Sequence, residues 1–158
     1  MQLRTLLVRF YKSFNFDYER KATPGATPVP WEQTEAGWYP HVRVGLEPDI
    51  TAVAGANESG KSHLLDAIEI LLLGADQDAR DFCRYSPLFS AERGLRRAPE
   101  IGGNFTLTDS ERQVLLDENV PLRKDGTLLL LRPTPTEWDA VDGDDQPAPL
   151  LPLSLIHI

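Results

Sequence analysis

The amino-acid sequence predicts an α/β fold, and three adjoining features predict it. Ile50-Thr51-Ala52-Val53-Ala54 is a short β-favouring run. It stops at a loop bounded by Gly55 and Gly60, as a buried strand entering a glycine turn does. Beyond the loop, Leu64, Leu65, Ile68, Leu71 and Leu72 recur at the three- and four-residue steps of an amphipathic helix, with His63, Asp66 and Glu69 on its other side and Gly74 as the terminator.

The other elements follow in chain order. Residues 3–10 are apolar with partial alternation and predict a first strand. Five prolines between 21 and 48 (Pro24, Pro28, Pro30, Pro40, Pro48) exclude a continuous helix there and predict a long loop or hairpin insertion, with Trp31 and Trp38 pinning it to the body. Within it, residues 41–46 alternate with period two and predict an edge strand. Residues 104–107 read as a strand, and Thr108-Asp109-Ser110-Glu111 as a capping box opening a helix to about 118. Asp125-Gly126 turns the chain into a buried strand over 127–131.

A chain of 158 residues with 41% hydrophobic content supports one ordinary core. The net charge is −8, but residues 133–158 contribute five acids and no base, which leaves 16 basic against 19 acidic residues in 1–132. The body is nearly neutral and lacks the basic footprint of a free-standing nucleic-acid binder. Cys83 is the single cysteine, so no intramolecular disulfide and no multi-cysteine zinc site forms, which fits a reducing compartment. No secretory leader and no membrane-length apolar run is read, and the expected location is the cytoplasm.

The loop carries the functional information. Gly55-Ala56-Asn57-Glu58-Ser59-Gly60-Lys61-Ser62 has the spacing of a phosphate-binding P-loop. Two glycines let successive backbone N–H groups point inward at phosphate oxygens, and the helix opening at Lys61 adds its positive end. Lys61 is the candidate catalytic residue, a mobile charge for the β- and γ-phosphates, and the Ser62 hydroxyl is the candidate magnesium ligand. The expected cofactors are ATP and Mg2+, held by Gly55, Asn57, Glu58, Ser59, Gly60, Lys61, Ser62 and the adjoining His63. The backbone of Glu58, not its carboxylate, is expected to face the nucleotide. As a side chain, His63 reads as a surface histidine, since no second ligand lies at metal spacing. Cys83 reads as a small buried thiol, and Arg93, Arg96 and Arg97 as a solvated loop.

The loop's Asn and Ser-Gly-Lys-Ser, the following "LLDAIEILLLG" and the opening "LLVRFYKSFNFDY" resemble the SMC, RecF, RecN and OLD-type ATPases of the AAA (ABC) class. The resemblance is good over residues 1–74 and looser over 75–131. It implies a P-loop NTPase fold, an ABC/SMC-like N-terminal lobe with a mixed sheet, whose complete form hydrolyses ATP as a homodimer in DNA repair or chromosome maintenance, with DNA as a further partner and no membrane. It also implies that Phe10-Tyr11-Lys12-Ser13-Phe14 turns toward the nucleotide base, with base contacts near Lys12 and Ser13. An OLD-type nuclease, a transporter subunit and a small-molecule kinase are alternatives; about fifty residues before the loop argue against the kinase.

The departures count equally. No apolar strand run ends in acids, since residues 128–131 lead into Arg132-Pro133, and Ile101-Gly102-Gly103-Asn104 lacks the Leu-Ser of the signature that contacts the γ-phosphate across a dimer. The expected organisation is a truncated lobe over 1–132, with 21–48 inserted, followed by a disordered or non-native tail over 133–158. Such a lobe binds ATP without turning it over.

Overall fold

The computed structural model describes residues 1–14, 25, 27–35, 37–56, 60–86, 88–89 and 99–150. The chain is mixed α/β: one six-stranded sheet with two helices against one face. The strands are β1 (Gln2–Arg9), β4 (Val42–Gly45), β5 (Glu100–Thr106), β6 (Leu128–Arg132), β7 (Trp138–Val141) and β8 (Pro147–Leu150), in the order β4-β1-β5-β6-β7-β8. A separate two-residue ribbon pairs β2 (Gln33–Thr34) with β3 (Gly37–Trp38). The helices are α1 (Lys61–Leu73) and α2 (Asp109–Asp117).

Alternation along the strands decides which residues meet which helix. Leu6 and Val8 of β1, Ile101 and Phe105 of β5 and Leu128 and Leu130 of β6 share a core with Leu64, Ala67, Ile70 and Leu71 of α1 and Leu115 of α2. Leu7, Leu129, Leu131 and Val141 point to the opposite face, where Trp31 covers them. The four leucines of β6 are all buried because both faces are covered. Trp31 thus pins the proline-rich insertion as expected, while half-buried Trp38 donates its Nε1 to Glu32 at 3.2 Å.

That insertion is fixed by charge. The buried Glu32 carboxylate accepts from the His41 backbone amide at 3.0 Å and from Arg43 at 2.6 Å, and buried Arg9 donates to the carbonyls of Glu32 and Tyr39 at 2.9 and 2.8 Å. Burial, helped by the Arg9 charge, pushes His41 down to about 4, so the imidazole is neutral and its 3.6 Å approach to Glu32 is no ion pair.

The expected capping box is present: Glu111 N–H donates to the Thr108 hydroxyl at 3.3 Å and Thr108 N–H to the Glu111 carboxylate at 2.8 Å. Gly74 closes α1 at φ 66°, and β4 lies at a sheet edge as its alternation predicts.

Several expectations are corrected. The run 50–54 is no strand: it is exposed, Ile50 at 82%, and among the described residues no strand pairs with it. Every described ladder is antiparallel, so the parallel part of the expected mixed sheet is missing. A β-favouring run stays outside a sheet when no partner strand flanks it. On α1 the buried face is Leu64, Ala67, Ile70 and Leu71, with Leu65 and Leu72 59% and 45% exposed. Leucines on several sides of α1 left the stripe ambiguous, and packing selected the face where small Ala67 lies.

β5 begins at Glu100, four residues earlier than the alternation suggested. Gly102 and Gly103 are weak strand formers, yet they fit here because a Cβ would come within 2.5 Å of the Leu130 carbonyl oxygen or of Leu3 Cδ1. Residues 133–150, expected as a tail, instead continue the sheet as β7 and β8, with Trp138 and Ala140 in the core. The last strand is an edge, and Pro147 and Pro149 are two of its four residues. Residues 151–158 and the Arg93, Arg96 and Arg97 cluster lie outside the described residues.

Candidate nucleotide-binding site

The site is built where α1 starts. Gly60 is the N-cap residue at φ 89°, a left-handed conformation that suits glycine, and its carbonyl accepts the first helical bond from Leu64 N–H at 3.0 Å. Among the described residues no side chain caps this end and the first turn holds no acid. Among those residues, its orphan N–H groups therefore meet no side-chain acceptor and no acid offsets the positive end of the helix dipole. Lys61 Nζ donates to the carbonyls of Gly55, at 2.8 Å, and Ala56, at 2.5 Å, which folds the ammonium back over the entrance of its own loop. Ser62 is exposed on the first turn. Asn57, Glu58 and Ser59 lie outside the described residues.

The segment leaving β1 forms one wall. Phe10 and Lys12 both have left-handed backbones, at φ 59° and 48°, and a chain of contacts holds them there. Cys83 N–H donates to the Phe10 carbonyl at 2.6 Å and Lys12 N–H to the Asp81 carbonyl at 2.7 Å, while Phe82 stacks on Phe10 with ring centroids 5.2 Å apart. Cys83 is a buried thiol in this support, as its lack of a catalytic neighbour suggested.

With its backbone so fixed, the segment turns Lys12 and Ser13 toward α1. Lys12 Nζ donates to Asp66 Oδ2 at 2.8 Å, and Ser13 Oγ lies 3.0 Å from His63 Nδ1. Burial lowers the Lys12 pKa, but hydrogen bonding to Asp66 and Tyr11 outweighs it and holds the ammonium above its ordinary value. A Cβ on Gly60 would meet Ser13 Oγ at 2.9 Å, so this wall touches the P-loop itself. The structure brings Lys12, Ser13, Gly60, Lys61 and His63 together. No local signal marks the engagement of Lys12 and Ser13 by Asp66 and His63, because those bonds cross 54 and 50 positions.

Sequence reasoning also missed Arg132. It follows the apolar run of β6 where a metal-holding acid was sought, and its buried guanidinium donates to the carbonyls of Ile70 at 3.2 Å and Ala75 at 2.7 Å. It caps the far end of α1, and burial lowers its pKa.

Residues 37–82 match the family model described as the P-loop containing region of AAA domain. The matched span of this AAA region runs from β3 through all of α1 to the Phe82 support of the β1 exit. A solved structure described as "Structural biochemistry of ATP-driven dimerization and DNA stimulated activation of SMC ATPases" aligns with a TM-score of 0.45 at 16% identity, covering 95% of this chain and 69% of that one. No curated protein matches. Among the described residues, no helix is long and apolar enough to cross a membrane, and no group of three or more metal-binding side chains occurs.

Proposed function

We propose that this chain is the N-terminal lobe of an SMC/RecF-like ATPase and binds ATP with magnesium at its P-loop. The observation that carries the reading is the N-terminus of α1 beside Lys61, which no side chain caps among the described residues. The donor set fits a triphosphate: N–H groups without a capping side chain, an ammonium already inside the loop, and a glycine where a Cβ would collide. On binding, Lys61 exchanges the Gly55 and Ala56 carbonyls for phosphate oxygens, a stronger charge-assisted pairing. Ser62, exposed on the first turn, would offer its hydroxyl to magnesium, and the ion would supply charge neutralisation to the phosphates. Gly55, Asn57, Glu58, Ser59 and His63 contribute mainly backbone to this cradle.

Hydrolysis and coupling to DNA, through a dimer of the complete protein, belong to the same reading, in cytoplasm. The sequence offers no acid at the end of an apolar strand to orient the attacking water, so the chain alone binds without turnover. Calorimetric titration with ATP tests the site. Lys61→Ala is expected to lose about 2–3 kcal/mol, roughly thirty- to 150-fold in affinity. Ser62→Ala should lose affinity with magnesium present and little in EDTA. A Lys61→Ala variant binding as tightly as the parent would falsify the assignment.

A further inference from the structure

We infer that Lys12, Ser13, Asp66 and His63 form a two-point clamp that sets the P-loop against the exit of β1, and that Asp66 and Ser13 are positioning residues for nucleotide binding. His63 and Asp66 are three residues apart, on successive turns of one face of α1, and each meets one of two consecutive residues of the β1 exit. The partners are a charged pair at 2.8 Å and a hydroxyl–imidazole contact at 3.0 Å. The Ser13 hydroxyl lies 2.9 Å from where a Cβ of Gly60 would stand. The exit segment cannot drift to follow the helix, because Phe10 and Lys12 are locked in a backbone conformation that side-chain-bearing residues rarely adopt, by Cys83 and Asp81. The first turn of α1 is therefore registered against the sheet through side chains, and Gly60 and Lys61 inherit that register. A phosphate site made of backbone donors depends on their direction, so loosening the clamp weakens binding without removing a ligand.

The inference rests on ATP binding at the P-loop, and it reverses the role that family resemblance implies for Lys12 and Ser13. Those two residues were expected to touch the base; the clamp instead commits both side chains to α1. The sign of the Asp66 effect separates the two.

The experiment measures the Mg-ATP dissociation constant of the whole chain by calorimetry at low temperature, with the unfolding midpoint of each nucleotide-free variant recorded in parallel. Asp66→Asn and Ser13→Ala are each expected to weaken binding by about threefold to tenfold, at a temperature where every variant is folded. Lys12→Met combined with Asp66→Asn should bind no more weakly than the poorer single variant, because the pair acts as a unit. Asp66→Glu should recover part of the loss. Tighter binding by Asp66→Asn would show that Lys12 is a direct ligand restrained by Asp66, and would overturn the clamp. Unchanged affinity in both Asp66→Asn and Ser13→Ala, with a parent that binds, overturns the clamp and leaves the P-loop reading standing. A parent that does not bind ATP overturns both. Asp66 is 45% exposed, so its substitution leaves the core intact; should it still fail to fold, Ser13→Ala, which deletes one hydroxyl, decides.

Discussion

The two helices begin in opposite ways. α2 opens on a complete capping box, with Thr108 and Glu111 exchanging bonds and two acids, Asp109 and Glu111, in its first turn; the amino terminus of Met1 adds a further bond to Glu111. α1 opens on a glycine, with no capping side chain and no acid among the described residues, and a lysine first. Both helices lie on the same sheet face and share one core. The difference is therefore local, and it teaches how a helix disposes of its N-terminal donors: α2 satisfies them for its own stability, whereas α1 presents them as the proposed phosphate site requires.

Four measurements break or sharpen that contrast. The largest effect is expected at Gly60, where alanine must adopt φ 89° against Ser13. Gly60→Ala should cost roughly 1–2 kcal/mol in chemical denaturation and depress ATP affinity as well. An equal loss of stability with intact ATP binding would separate the helix end from the site.

Thr108→Ala comes next, at about 1 kcal/mol of stability, with ATP affinity unchanged. Were it to alter ATP binding, the two helix ends would be coupled rather than independent.

Acid titration follows. Bonding to the Met1 amine, then to Thr108, pulls Glu111 down to about 2 from an ordinary 4.5. The folded pKa is the lower one, so this contribution is present above about 4.5 and is lost as pH falls toward 2. Denaturation midpoints of the parent should fall across that window, and Glu111→Gln should flatten that part of the slope. An unchanged slope would mean the cap contributes nothing.

The smallest effect is instructive for its sign. Ser62→Asp places an acid in the first turn of α1 and should stabilise the nucleotide-free chain by about 0.3–1 kcal/mol while repelling phosphate. If the added acid destabilised the free chain, the positive end of α1 would already be satisfied.

Local signals made much of this legible. The capping box, the Gly74 terminator, the Asp125-Gly126 turn and the glycine spacing of the P-loop each act over a few residues, and each appears where the sequence places it. Non-local chemistry was less legible. The strand placed at 50–54 depends on a neighbour that its own residues cannot supply, and β5 was read short because the use of Gly102 and Gly103 is visible only once β6, β1 and α1 are in place. The hairpin of β7 and β8 was masked by its acids and prolines, which suggested a tail, although Trp138 and Ala140 alternate into the core. At the site, the loop was written in the sequence and its wall was not: Lys12 with Asp66, and Ser13 with His63, are pairs that only the fold assembles.

The prolines of β8 bear on how the molecule meets other chains. Proline has no N–H, so two of the four residues on that border offer an incoming strand nothing to donate. At the other border every residue of β4, Val42–Gly45, keeps its amide. Among the described residues, β4 is therefore the better template for an added strand and β8 the poorer one.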